Sequence, residues 1–183
     1  MKRHFYTAGM TMVELLTVMA IVAILIGIAT PSYRYITTVN RISSEVNGLL
    51  GDMQLARIEA IKQGSPVTVC ASSDGATCLG GTSTTWTRGW IVFSDLNGNG
   101  LVDVSVPPET VLRIQRAFAG TDTAVADVAA PAVVFNRDGF ARLGAVTTIK
   151  VHDVTNTSVY ARCLEITPVG SMTTLRAGVR NCS

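Results

Sequence analysis

The chain has little charge. Only 15% of its 183 residues are Asp, Glu, Lys or Arg, against 48% apolar. The formal net charge is +2, and Lys2 and Arg3 lie in the first nine positions; without them, basic and acidic side chains number 13 each. A body so near neutrality has no general basic field for gathering nucleic acid or an anionic membrane surface. Histidine is scarcer still. Beyond His4 there is only His152, in a strand-like stretch with no evident partner. No nucleophile elbow, metalloprotease helix or phosphate-cradling glycine loop occurs, so nothing marks an enzyme active site. Trp86 and Trp90 flank Gly89 and read as sheet packing rather than a ligand platform. Internal repeats and long low-complexity runs are absent too. The four cysteines, Cys70, Cys78, Cys163 and Cys182, lack the two-close-pairs spacing of a zinc site.

What is present begins at the N-terminus. Residues 10–29, MTMVELLTVMAIVAILIGIA, carry one charge, Glu14, in an otherwise apolar or small run with Thr11 and Thr17. That length spans a bilayer as a helix. The basic flank at Lys2 and Arg3 stays cytoplasmic and sends the rest outward. A secretory signal peptide has the same start, with a cut near Gly27-Ile28-Ala29 and release of the remainder as a secreted protein. A plain membrane anchor is a further alternative. Neither accounts for Glu14, since a carboxylate that deep in an apolar helix costs about 2.5–3.5 kcal/mol.

The stretch Gly9-Met10-Thr11-Met12-Val13-Glu14-Leu15-Leu16 resembles the type IV prepilin cleavage motif. Met10 stands where phenylalanine is usual, a similarly large apolar side chain. The resemblance implies an inner-membrane prepilin peptidase that cuts after Gly9 and methylates the new amine of Met10. It also implies that Glu14 pairs with the N-terminal amine of a neighbouring subunit, which offsets its burial and sets filament register. Pro31 falls where pilin tail helices commonly carry a proline; it either kinks the helix there or ends it.

Past Pro31, Ile42, Val46, Leu49, Met53, Ala56 and Ala60 mark one face of an amphipathic helix, with Arg41, Glu45, Asp52, Glu59 and Lys62 on the others. Gly64 and Pro66 stop it. The remainder reads as strands: Val67–Ala71, Gly89–Ser94, Thr110–Arg116, Ala132–Asn136, Ala145–Val151, Ser158–Ile166 and Thr174–Val179, with Ala119–Pro131 a loop or weak strand. The class is α+β, and the organisation is a leader 1–9, a membrane or filament-core helix 10–30, an amphipathic continuation 31–64 and a β-rich head 65–183. Ala56–Gly64, Val67–Cys70 and Gly89–Phe93 are similar to the GspH/FimT family, minor pilins of type IV pili or H-type minor pseudopilins of type II secretion. That resemblance implies the type IV pilin fold, a head of two small antiparallel sheets on the helix, a place at or near a filament tip, and other pilin or pseudopilin subunits as partners.

An even cysteine count behind an export-type N-terminus points to disulfides. Of three connectivities, Cys70–Cys78 across a turn-rich loop and Cys163–Cys182 across a hairpin are favoured; four free buried thiols are the alternative. The hairpin expected is Ser158–Ile166 folded on Thr174–Cys182, with the cysteines opposite each other. Two further motifs are open. Asp95, Asn97, Asn99 and Asp103 have the alternating spacing of calcium-loop oxygen ligands. The twelfth position, where that loop wants glutamate, is Val106, and Asn97-Gly98 reads equally as a hairpin turn. Arg176 and Arg180 partly match a C-terminal glycine-arginine motif that, in some pilins of the family, is associated with DNA capture; a solvated strand face is the alternative.

Overall fold

The structure is a computed structural model that describes residues 9–104, 107–118, 120–157, 159–179 and 182. Among the described residues there are one helix, α1 (Met12–Gln63), and eight strands. The strands are β1 (Val67–Ala71), β2 (Gly89–Ser94), β3 (Val111–Arg116), β4 (Thr123–Ala126), β5 (Ala132–Phe135), β6 (Thr147–His152), β7 (Arg162–Ile166) and β8 (Met172–Arg176). They form two antiparallel sheets, ordered β3-β2-β1-β5 and β4-β6-β7-β8.

The chain divides into two units, one ending at Thr38 and the other running Val39–Ser183. In the first, every described residue from Gly9 to Thr37 is exposed, including Leu15, Val18, Ile21, Leu25 and Ile28. None of the described residues covers this apolar surface, so water is not its resting environment.

In the second unit, the last part of α1 is the central element of the core. Ile42, Val46, Leu49, Met53, Ala56 and Ala60 are all 0–1% exposed, as their spacing requires. They meet Val67, Val69, Trp90, Val92, Val133 and Phe135 of one sheet and Ile149, Val151, Leu164 and Ile166 of the other. Residues 39–63 of α1 fall in the same unit as the two sheets. Gly64 takes φ +66°, the left-handed conformation that ends a helix. On the far side of the first sheet, Cys70, Ile91 and Phe93 pack under Cys78, Val102 and Val111.

Two sequence expectations need correction, and one left between loop and weak strand is decided as a strand. Asp52, assigned to a polar face, is 4% exposed; the indole Nε1 of Trp90 donates to it at 2.8 Å and the Nε of Arg113 lies at 3.1 Å. Residues 123–126, read within a loop or weak strand, form β4, pairing with β6 and burying Ala124 and Ala126. The C-terminal hairpin is centred on Val169, so that Cys163 faces Leu175 and not Cys182. Its turn closes through Gly170 N–H to Thr167 O at 2.8 Å and Ser171 N–H to Thr167 Oγ1 at 3.1 Å. Gly170 has φ +77°, and a Cβ there would stand 2.1 Å from Gly139 O, so glycine fixes this turn where it is.

Candidate functional site

The N-terminal residues form the first site. Gly9 and Met10 precede α1 and are exposed. Thr11 caps the helix: the Glu14 N–H donates to Thr11 Oγ1 at 3.2 Å, and the Leu15 N–H to Thr11 O at 3.1 Å. Thr11-Met12-Val13-Glu14 has the Thr-x-x-Glu spacing of a capping box, a signal that singling out Glu14 alone passes over. The cap puts Glu14 in the first turn, where the positive end of the helix dipole favours a carboxylate. The hydroxyls of Thr17 and Thr30 donate to the carbonyls of Glu14 and Ile26 at 2.9 and 2.8 Å, leaving few polar groups for lipid to meet. The helix is long and apolar enough to cross a membrane. It continues through Pro31, so Pro31 does not end it; the residue withdraws one N–H from the ladder.

Disulfides join Cys70 to Cys78 and Cys163 to Cys182. In the second, the chain reverses again after β8, with Gly178 N–H donating to Cys182 O at 2.7 Å and Cys182 N–H to Val179 O at 3.1 Å. That second reversal, and not the hairpin itself, brings Cys182 back against Cys163 and Leu175.

The Asp95 loop is a dense turn. Asp95 is fully buried and accepts from Thr68 Oγ1 at 2.7 Å, Asn99 N–H at 3.0 Å and Gly100 N–H at 2.8 Å. Asn97 Oδ1 and Asn99 Oδ1 accept from the N–H groups of Asn99 and Leu101, and Asp103 Oδ2 accepts from both asparagine amides. Glu109, which the twelfth-position test misses by three residues, accepts from Leu96 N–H at 2.9 Å and Asp103 N–H at 2.8 Å. Among the described residues no group of three or more His, Cys, Asp or Glu side chains is placed to hold a metal ion; Val106 lies outside them. With Asp95 holding the loop to β1, Asp95→Ala is expected to lower stability by about 3 kcal/mol, by orphaning a buried hydroxyl and two N–H groups. EGTA is expected to leave the melting midpoint of the unmodified protein where it was. A chelation-sensitive midpoint would place an ion in this loop.

Arg176 is exposed on β8, directly opposite Arg162 on β7. Arg180 lies outside the described residues. His152 hydrogen-bonds Thr123 Oγ1 and the Asp153 carbonyl.

A charged cluster joins α1 to the second sheet. Arg41 binds Asp122 through two hydrogen bonds, Nη2 to Oδ1 at 2.7 Å; the Asp122 side chain is fully buried. Burial, and then the neighbouring carboxylate of Asp122, push the carboxyl of Glu45 up to about 7, against a smaller opposing pull from Arg41. Glu45 Oε2 is buried without a partner. A carboxyl raised in the folded state favours folding while protonated. Its contribution is complete below the ordinary glutamate value and is lost as pH rises from about 4.5 to about 7. Glu45→Gln is therefore expected to match the unmodified protein near pH 4.5 and to melt higher at pH 8, as read by thermal unfolding across that range. Equal midpoints at pH 8 would contradict the burial described.

A long helix with an unburied, nearly charge-free first part, leading into antiparallel sheets packed on its last part, defines a type IV pilin fold. The chain belongs to the family of the type II transport protein GspH, whose model matches residues 45–170. Among solved structures it is similar to the Pseudomonas aeruginosa type IV minor pilin FimU, at 21% identity and a TM-score of 0.58, over 75% of this chain and 90% of that one. A second crystal form of FimU gives 20% identity and a TM-score of 0.56, over 74% of this chain and 93% of that one. The minor pseudopilin EpsH from the Type 2 Secretion System of Vibrio cholerae gives 12% identity and a TM-score of 0.53, over 75% and 98%. None of the curated proteins matches the chain.

Proposed function

We propose that this chain is a minor pilin, a structural subunit of a type IV pilus that primes the filament or sits at its tip. In this reading a prepilin peptidase cuts after Gly9 and methylates Met10. The apolar part of α1 holds the subunit in the inner membrane, head in the periplasm, until assembly. The observation that carries the proposal is the first unit of α1: apolar, covered by none of the described residues, and interrupted by one carboxylate at the capped first turn. A single acid at that depth is costly unless a neighbour supplies the opposite charge. The amine of the next subunit is such a partner, and pairing there fixes axial register. The two disulfides suit an oxidising periplasm.

The second reading is an H-type minor pseudopilin of a type II secretion system. The likeness to EpsH, which spans nearly all of that chain, favours it. Deleting the gene separates the two. A minor pilin requires loss of surface filaments with protein export intact. A pseudopilin requires accumulation of exported proteins in the periplasm with filaments intact. Normal filaments together with normal export would contradict both.

A further inference from the structure

We propose that the cleft between the C-terminal hairpin and α1 receives a single carboxylate from the head of a neighbouring filament subunit. The proposal rests on the filament reading above. Arg162 and Arg176 are register partners on adjacent strands, so their side chains leave the sheet on one face. Leu164, two residues along that face, is in the core against α1, so the two arginines project toward the helix side. Like charges placed directly opposite destabilise a strand pair unless something neutralises them. Among the described residues the ion pairs are Arg41–Asp122, Lys62–Glu59 and Arg113–Asp52, and neither of these arginines belongs to one.

The space beside them is built to take an anion. It is a cleft of about 220 Å³, to which α1 contributes Ser43 and Asn47 and β8 contributes Thr174. Those residues add hydroxyl and amide donors, and among the described residues no acidic side chain lines it. Arg162 Nη1 donates to the Ala161 carbonyl at 2.8 Å, which pins that guanidinium. A fixed guanidinium fork binds a carboxylate through two parallel hydrogen bonds.

The size of the basic feature chooses the occupant. Across the sheet the same row continues through Val151 to Ala124, so among the described residues this row carries two charged side chains. Nucleic acid gains affinity by engaging many phosphates along a basic stripe. Two arginines in a small cleft match one carboxylate, and a filament surrounds each head with other heads that present Asp and Glu side chains. Such a contact selects which neighbour docks and in what register.

The test uses the full-length chain in its own host. A photo-crosslinking amino acid replaces exposed Thr174, filaments are collected after irradiation, and crosslinked peptides are identified by mass spectrometry. The unmodified arginine pair should give a crosslink to a subunit peptide containing Asp or Glu. Arg162→Ala with Arg176→Ala should reduce that crosslink about tenfold. Arg162→Lys with Arg176→Lys should restore part of it, and thermal melts should show all variants folded. A crosslink unchanged by the double alanine variant would overturn the proposal while leaving the filament reading intact. So would a crosslinked peptide without an acid. A gel shift of the detergent-solubilised chain with DNA, lost in the double alanine variant, would reassign the cleft to phosphate. Absence of the unmodified chain from every filament would overturn both readings together.

Discussion

Glu14→Ala is expected to leave the chain in the membrane and keep it out of filaments. Removing the charge makes residues 10–29 more apolar, so insertion loses nothing and gains the about 2.5–3.5 kcal/mol that a buried carboxylate costs. Assembly responds the other way. In the filament reading, without Glu14 the methylated amine of the adjoining subunit would enter an apolar filament core with no opposite charge, and breaking such a pair costs about 3–5 kcal/mol. Incorporation should therefore fall at least about a hundredfold. Thr11→Ala separates the charge from the cap. It removes the acceptor for the Glu14 N–H, worth about 1 kcal/mol, and leaves the carboxylate in place, so assembly should persist. Cell fractionation followed by shearing of filaments reads both effects. Glu14→Ala recovered in filaments at the unmodified level would contradict the role given to that residue.

The largest effect on the head is expected from Trp90→Ala. Trp90 is 1% exposed, packs edge-on against Phe118 at a ring separation of 5.8 Å, and donates to Asp52. Truncating a buried aromatic costs about 3–5 kcal/mol. It also strips a partner from the buried Asp52 carboxylate, which then depends on the partly exposed Arg113. Together these remove much of the stability an ordinary domain has. Trp90→Phe tests the two causes apart: most of the packing stays, and the lost donor alone should cost about 1–3 kcal/mol. Urea unfolding of the full-length chain in detergent measures both. If the phenylalanine variant matched the unmodified protein, the Trp90–Asp52 hydrogen bond would have no energetic role.

The sequence carried the helix most clearly, because a period near 3.6 with Ile42, Val46, Leu49, Met53, Ala56 and Ala60 on one face has no other economical reading. β1 and β2 were legible for the same kind of reason: short apolar, β-branched runs between turn residues, buried on both faces. Local pattern failed where partners come from far along the chain. Asp52 looks like solvent-facing charge until Trp90, 38 residues on, supplies a donor. β4 is only four residues long with two alanines, too short to separate weak strand from loop by itself, and pairing with β6 decides it. Placing Cys163 directly opposite Cys182 assumed one reversal where the chain makes two. In the tail, the lone acid was visible at once, while the threonine that caps its turn was not singled out. Sequence spacing also brought the Asp95 loop to notice but stopped short of Glu109, which closes it.

The most direct measurement is the N-terminus of the mature protein, determined by mass spectrometry on membranes from the native host. The filament account requires a chain that begins at methylated Met10. A chain beginning near Thr30 would mean cleavage by a signal peptidase and release from the membrane, and would contradict that account. An uncut chain in cells that process other prepilins would contradict it as well, leaving a head on a plain anchor.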